Sequence, residues 1–372
     1  MMKFVLIPDS FKGTLTSSQV CEIIESEIKK KFSADIIKIP VADGGEGSVD
    51  AFLEAVGGKK VFVEVTGPYF EKMEAFYGLI DEGKCAVIEM AASSGLPLVE
   101  GRKNPSLTTT FGVGELILHA VNSGVEKIIV GLGGSCTNDG GTGCAAALGI
   151  RFFDETGECF VPIGGTLNKI KKIDFSGLIP TLKDIELVTM CDIDNPLYGK
   201  QGAAYVFGPQ KGADPVMVEF LDQNLKALAE VVAKDSGFTE WDFKGAGAAG
   251  GMGYGMKVFL NSKIQMGIET VLDVVKFDEL IQGANYIITG EGKIDYQSLR
   301  GKVVIGVARR AKKQNAKVIA VVGTLGEGYE GAYEEGVDLI VESNYLKLPF
   351  EEVKPRAEQD LRKVVSELVE KL

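Results

Sequence analysis

Both ends of the chain alternate a β-rich apolar run, a glycine-bearing loop and an amphipathic helix, an order that commits each end to parallel strands covered by helices. At the start, FVLIPDS reads as a strand, KGTLT as a turn and 16–32 as a helix whose apolar face is Val20, Ile23, Ile24, Ile28 and Phe32. Thr16 with Gln19 forms a capping box, and Lys29, Lys30 and Lys31 sit at the end where the helix dipole favours cations. A second strand, IIKIPVAD, runs into DGGEG and a helix over 48–56 that Gly57 and Gly58 stop. The far end repeats the style with YIITGEG, a helix over 303–313, VIAVVGT, DLIVES and a charged C-terminal helix.

The middle differs. Short strands at 61–65, 74–80 and 85–90, joined by Gly-Pro and Asp-Glu-Gly turns, predict an antiparallel or mixed section. A helix over 113–122, the strand KIIVGLGG, a small-residue helix through Ala145–Ala147, the strand ELVTMCDI and a helix over 215–233 follow. The expected fold is therefore α/β with two domains, as 372 residues allow: a discontinuous Rossmann-like parallel-sheet domain of 1–60 plus 285–372, and an inserted mixed-sheet α/β domain over 61–284. Two consecutive domains are the simpler alternative.

Composition removes several classes of function. No apolar run approaches the ~20 residues of a membrane-spanning helix, and MMKFVLIPDSFKG lacks the apolar length and cleavage site of a secretory signal, so a cytoplasmic location is expected. Six cysteines without a C-x-x-C pair read as reduced structural thiols. A formal charge of −12 repels nucleic acid and anionic membrane, leaving small molecules as the expected partners and a homo-oligomer open. Glycine is the anomaly: 47 of 372 residues, nearly double the ~7% of average usage, gathered in a few loops where a ligand can approach the backbone.

Those loops combine glycine with acid, hydroxyl or lysine: DSFKG (9–13), ADGGEG (42–47), GLGGSCTNDGG (131–141), CDIDNPLYG (191–199), FGPQKGA (207–213), GAGAAGGMG (245–253) and TGEGKIDYQSLRGK (289–302). Carboxylates for magnesium, lysines and N–H groups for phosphate charge, and a carboxylate beside an acceptor hydroxyl are what phosphoryl transfer needs. Asp9, Asp43, Glu46, Asp192, Asp194, Glu291 and Asp295 supply the hard oxygens; Lys12, Lys211, Lys293 and Lys302 are the matching cations. GGSCTNDGG, between a strand and a helix, is the best phosphate-cradle candidate, with Ser135, Thr137 and Asn138 as side-chain donors; a tightly packed, capped turn is an equal alternative. There is no Walker A sequence. Gly245, Gly247 and Gly250 fit G-x-G-x-x-G without a preceding strand, which favours a loop closing over a ligand over a dinucleotide site. The single histidine, His119, falls off the apolar face of its helix, which leaves carboxylates to act as bases, and Cys136 reads as a packing residue.

Taken in order, these seven segments resemble the bacterial glycerate kinase family whose members begin with a DS-[FY]-K segment, and the resemblance covers essentially the whole chain. It implies an ATP- and Mg2+-dependent kinase making phosphoglycerate from D-glycerate, 2-phosphoglycerate in preference to 3-phosphoglycerate, with the active site in a cleft between two domains. A kinase of another hydroxy acid and a non-catalytic metabolite sensor are the alternatives. Departures from the family are Cys136 in place of a usual alanine, Lys293 in place of a common arginine, and Tyr296 in place of a small residue. The expected roles are catalysis by Asp295, Asp192 and Lys12; substrate binding by Asp9, Ser10, Asp43, Glu46, Lys211 and Ser298; nucleotide binding by Gly133, Gly134, Ser135, Thr137, Asn138, Asp139, Gly290 and Gly292; and magnesium on Asp192 and Asp295. Glycerate's carboxylate is expected near Lys12 and Ser10, and the nucleotide phosphates along Gly133 to Asp139.

Overall fold

The computed structural model describes residues 1–41, 45–312, 314 and 316–372. They form two compact units: one made of the N-terminal segment, Asp50–Val56 and Met266–Leu372, the other of 45–49 and Gly57–Gln265.

The first unit is built on five parallel strands in the spatial order Leu339–Glu342, Lys317–Leu325, Tyr286–Ile294, Met2–Pro8, Ala34–Lys38. Numbered within the unit, that order is 5-4-3-1-2, a doubly wound sheet whose direction of winding reverses between its first and third strands. Phe4, Leu6, Ile288, Ile319 and Val321 are buried in one cluster with the apolar faces of the helices Ser17–Lys31 and Ala357–Val369. The first of these helices starts as its sequence demands: Thr16 Oγ1 accepts from the Gln19 N–H at 3.2 Å, and Gln19 Oε1 accepts from the Thr16 N–H at 2.9 Å.

The second unit carries a six-stranded mixed sheet ordered Lys263–Gln265, Glu186–Met190, Lys127–Gly131, Cys85–Glu89, Lys72–Ile80, Lys59–Thr66. The first four run parallel and the last two antiparallel. A small antiparallel sheet of Cys159–Phe160, Arg151–Phe153 and Lys172–Asp174 was not expected, because strands of two or three residues are too short to show a period.

Two expectations change. The helices Gly267–Val274 and Phe277–Leu280 belong to the first unit, so the division falls at Met266 and not at 285. The glycine-rich stretch is no closing loop but the buried start of the helix Ala248–Leu260. A Cβ on Gly250 would sit 2.0 Å from Thr137 O, and one on Gly253 2.0 Å from Gly245 O, so these glycines allow backbones to touch.

Candidate active site

In doubly wound sheets ligands gather beyond the carboxyl ends of the strands, at the point where winding reverses. Here that point lies between Met2–Pro8 and Tyr286–Ile294, with Pro8 opposite Gly290. The Asp9 N–H donates to Gly290 O at 2.8 Å and the Ser10 N–H to Asp9 Oδ1 at 2.6 Å, which fixes both residues at the switch point. The chain then doubles back through paired Phe11 and Leu15, leaving Lys12 exposed on the turn.

Gly290 and Gly292 lie within a strand that continues to Ile294, not in a loop. A Cβ on Gly290 would be 2.1 Å from Val321 O, and one on Gly292 3.3 Å from the Lys12 nitrogen. Both glycines let neighbouring backbone approach closely.

Between them stands Glu291, which sequence reasoning counted among the loop acids without giving it a role. It is 4% exposed, and among the described residues its Oε1 has no hydrogen-bond partner. Burial raises its carboxyl from 4.5 to about 7; the charges of Asp9 and Asp295 add to the rise, while Ser298 and Lys302 oppose it. Asp295, four residues on, behaves oppositely. Burial raises its carboxyl too, but hydrogen bonds from Lys293 and the Gln297 N–H outweigh burial and hold it below the ordinary carboxylate range. Lys293 Nζ is 3.0 Å from Asp295 Oδ2, the Gln297 N–H lies 2.9 Å from Oδ1, and the buried Ser298 hydroxyl accepts from the Asp295 N–H at 3.2 Å. Two acids on one strand end with carboxyls pushed apart is the pattern of an acid/base site.

Asp192 belongs to the second unit and is exposed. Among the described residues no group of three or more His, Cys, Asp or Glu side chains is arranged to hold a metal ion. Asp43 lies outside the described residues.

In the second unit, the loop after Lys127–Gly131 holds the expected phosphate cradle, and its chemistry is different. The helix it leads to spans Thr142–Ala147. The anion at the start of that helix is the protein's own: Asp139, fully buried, accepts from the Thr110 N–H (2.8 Å) and hydroxyl (2.9 Å), the Gly141 N–H (3.1 Å) and the Gly143 N–H (3.3 Å). Burial raises its carboxyl and these four donors work against the rise. Asp139 caps the start of this helix, its four donors all coming from the protein.

Upstream of the cap the loop is under-satisfied. Among the described residues Thr137 Oγ1 and Asn138 Nδ2 are buried without a partner, as is Ser93 Oγ on the neighbouring Ala91–Ser94 turn, a residue the sequence gave no reason to select. An unpaired buried polar group costs about 1–3 kcal/mol, so such groups invite a water or a ligand. Lys211, on the turn Pro209–Lys211, reaches in to donate to Ser135 Oγ at 2.7 Å and Thr137 O at 2.8 Å. It is 2% exposed and, among the described residues, makes no ion pair; burial lowers its ammonium to about 8, with Cys136 and Asp139 opposing. The structure therefore joins Lys211 to Ser135 and Thr137, residues that the sequence had divided between substrate and nucleotide. Gly133 is half-buried, Gly134 is exposed, and a Cβ on Gly134 would lie 3.5 Å from Glu46 Oε1, which puts Glu46 on the same rim. Burial pushes the Cys136 thiol up to about 12, in keeping with packing and not nucleophilic chemistry.

An acid set apart by its pKa, a lysine-bearing loop and a doubly wound sheet fit phosphoryl transfer, and the comparison with known sequences narrows that class. A family model described as the glycerate kinase family matches residues 4–372. The chain belongs to the glycerate kinase family. A glycerate kinase of Bacillus cereus is 47% identical over 97% of this chain and 95% of its own length, and a glycerate 2-kinase of Escherichia coli strain K12 is 46% identical over 91% and 90%. A solved structure from Salmonella typhimurium LT2, assigned as glycerate kinase 2, superposes with a TM-score of 0.86 at 42% identity, covering 100% of this chain and 98% of its own. As a member of the glycerate kinase family the protein is an enzyme, and among its described residues no helix is long and apolar enough to cross a membrane.

Proposed function

We propose that the protein transfers the terminal phosphoryl group of MgATP to the 2-hydroxyl of D-glycerate, giving 2-phosphoglycerate and ADP. The observation that carries the mechanism is Glu291, a buried carboxyl with a free oxygen and an affinity for protons near neutrality. It takes the hydroxyl proton as the acceptor oxygen bonds to the terminal phosphorus and the bond to the ADP oxygen breaks. The phosphates lie at the switch point of the first unit's sheet, with Lys12, Lys293 and Lys302 supplying positive charge and Asp9, Ser10 and Ser298 lining the strand ends. This moves them from 133–139, where Asp139 already fills the helix start. Asp295 or Asp192 would hold the magnesium of MgATP through a single carboxylate, and the ion would offset the phosphate charge. The choice of the 2-hydroxyl is supported by the name of the Escherichia coli relative. A cytoplasmic setting fits six free cysteines, five of them buried.

Incubating the protein with MgATP and D-glycerate and reading the product by phosphorus NMR tests this. A phosphorus signal coupled to the proton on carbon 2 is expected. Phosphorylation at carbon 3 overturns the regiochemistry, and the absence of ADP release overturns the kinase reading.

A further inference from the structure

We propose that Ser135, oriented by Lys211, is the hydroxyl that grips the carboxylate of the acceptor. This rests on the kinase reading for what the acceptor is, but not for how the site recognises an anion. Lys211 Nζ donates to Ser135 Oγ at 2.7 Å and to Thr137 O at 2.8 Å. An ammonium has only donors, so it occupies an acceptor lone pair of the serine and turns the serine's own O–H away from itself. Ser135 is 5% exposed and follows Gly134, whose exposed backbone at φ +74° carries no side chain to cover it. The hydroxyl proton is thus left available to a ligand resting on that glycine.

The surroundings select the ligand's charge. Lys211 is buried, has no carboxylate partner among the described residues, and is the single cation hydrogen-bonded to the loop. Thr137 Oγ1 and Asn138 Nδ2, shortly after Ser135 in the same loop, are buried and without partners among the described residues, so neutral donors line the loop as well. One ammonium with neutral donors balances one negative charge. A triphosphate would bring several more, against the carboxylate of Glu46 on the rim. Glu46 instead suits a ligand carrying hydroxyls, which it can accept from. A small hydroxy acid meets all of these conditions: its carboxylate faces Ser135 and a hydroxyl faces Glu46.

Calorimetric titration of the full chain with D-glycerate, and separately with glycerol, in the absence of nucleotide reads this directly. Wild type is expected to bind D-glycerate and not glycerol. Ser135→Ala should weaken D-glycerate by about ten- to a hundredfold, the range for a hydrogen bond to a charged group, and Ser135→Thr, which keeps the hydroxyl, should recover most of it. In steady-state assays the same alanine variant should raise KM for D-glycerate by that factor and leave KM for ATP within about twofold. A rise in KM for ATP instead assigns the site to phosphate and overturns the proposal. So do equal affinities of wild type and Ser135→Ala for D-glycerate, or a loss that threonine does not repair. A wild-type protein that binds D-glycerate through Ser135 but releases no ADP would refute the kinase reading and leave this one standing.

Discussion

Asp139 in the second unit and Glu291 in the first are both buried carboxylates near the carboxyl ends of parallel strands, and the two are opposites. Asp139 has four donors aimed at its two oxygens, two of them N–H groups at the start of a helix. Glu291 is nearly as buried, yet one of its oxygens has no partner and two further acids bear on it. Burial raises both carboxyls. Burial therefore does not distinguish the proposed base from a structural acid; the number of donors the fold supplies does. A saturated carboxylate fastens a loop, whereas one left short of partners keeps an oxygen for a proton.

The largest expected effect breaks or keeps that distinction at Glu291. Glu291→Gln should lower turnover by about 10²–10⁴-fold while the protein stays folded, measured as ADP release under saturating substrates. In wild type the base must be ionised, so turnover should rise as pH passes upward through about 7. The KM for D-glycerate should rise as Lys211 loses its proton near 8. A profile without the limb near 7 would remove Glu291 from the role of base.

Stability should separate the same two acids by sign. Asp139→Ala strands four donors in the interior and should cost about 3–5 kcal/mol in urea unfolding. Glu291→Gln should do the reverse. The folded carboxyl titrates near 7 against 4.5 when unexposed to the fold, so its favourable contribution is complete below 4.5 and is lost as pH rises through 7. At pH 8 the neutral glutamine escapes the burial of a charge and should gain up to about 3 kcal/mol over wild type, with no gain at pH 4. If both variants are destabilised alike at pH 8, the contrast between the two carboxylates fails.

What the sequence made legible follows from range. The Thr16–Gln19 cap, the period of Val20, Ile23, Ile24 and Ile28, and the long β-rich runs are local signals, and they became the elements they predict. The three strands of two or three residues near Arg151 leave no such trace. Acid- and lysine-bearing loops could be collected from the sequence, but roles within them depend on partners far along the chain. Asp139 is disarmed by Thr110, and Lys211 meets Ser135 across 76 positions. Glu291 looked like any loop acid until the strand proved to extend past it and bury it.

The smallest expected effect tests whether the same rule holds within one loop. Cys136 sits between Ser135 and Thr137 and is 1% exposed, its thiol pushed by burial to about 12, so at neutral pH it is neither an anion nor a nucleophile. Its backbone is tied independently of its side chain: the N–H donates to Ser94 O at 2.9 Å, and the carbonyl accepts from the Thr108 hydroxyl at 3.0 Å. Cys136→Ala keeps both bonds and removes only a sulfur from a packed interior. It should cost about 1 kcal/mol of stability and leave turnover and both KM values within about twofold. Iodoacetamide should not label this thiol in the folded protein at pH 7. A loss of D-glycerate affinity in Cys136→Ala comparable to that in Ser135→Ala would mean that the loop's shape, and not its unpaired polar atoms, recognises the ligand.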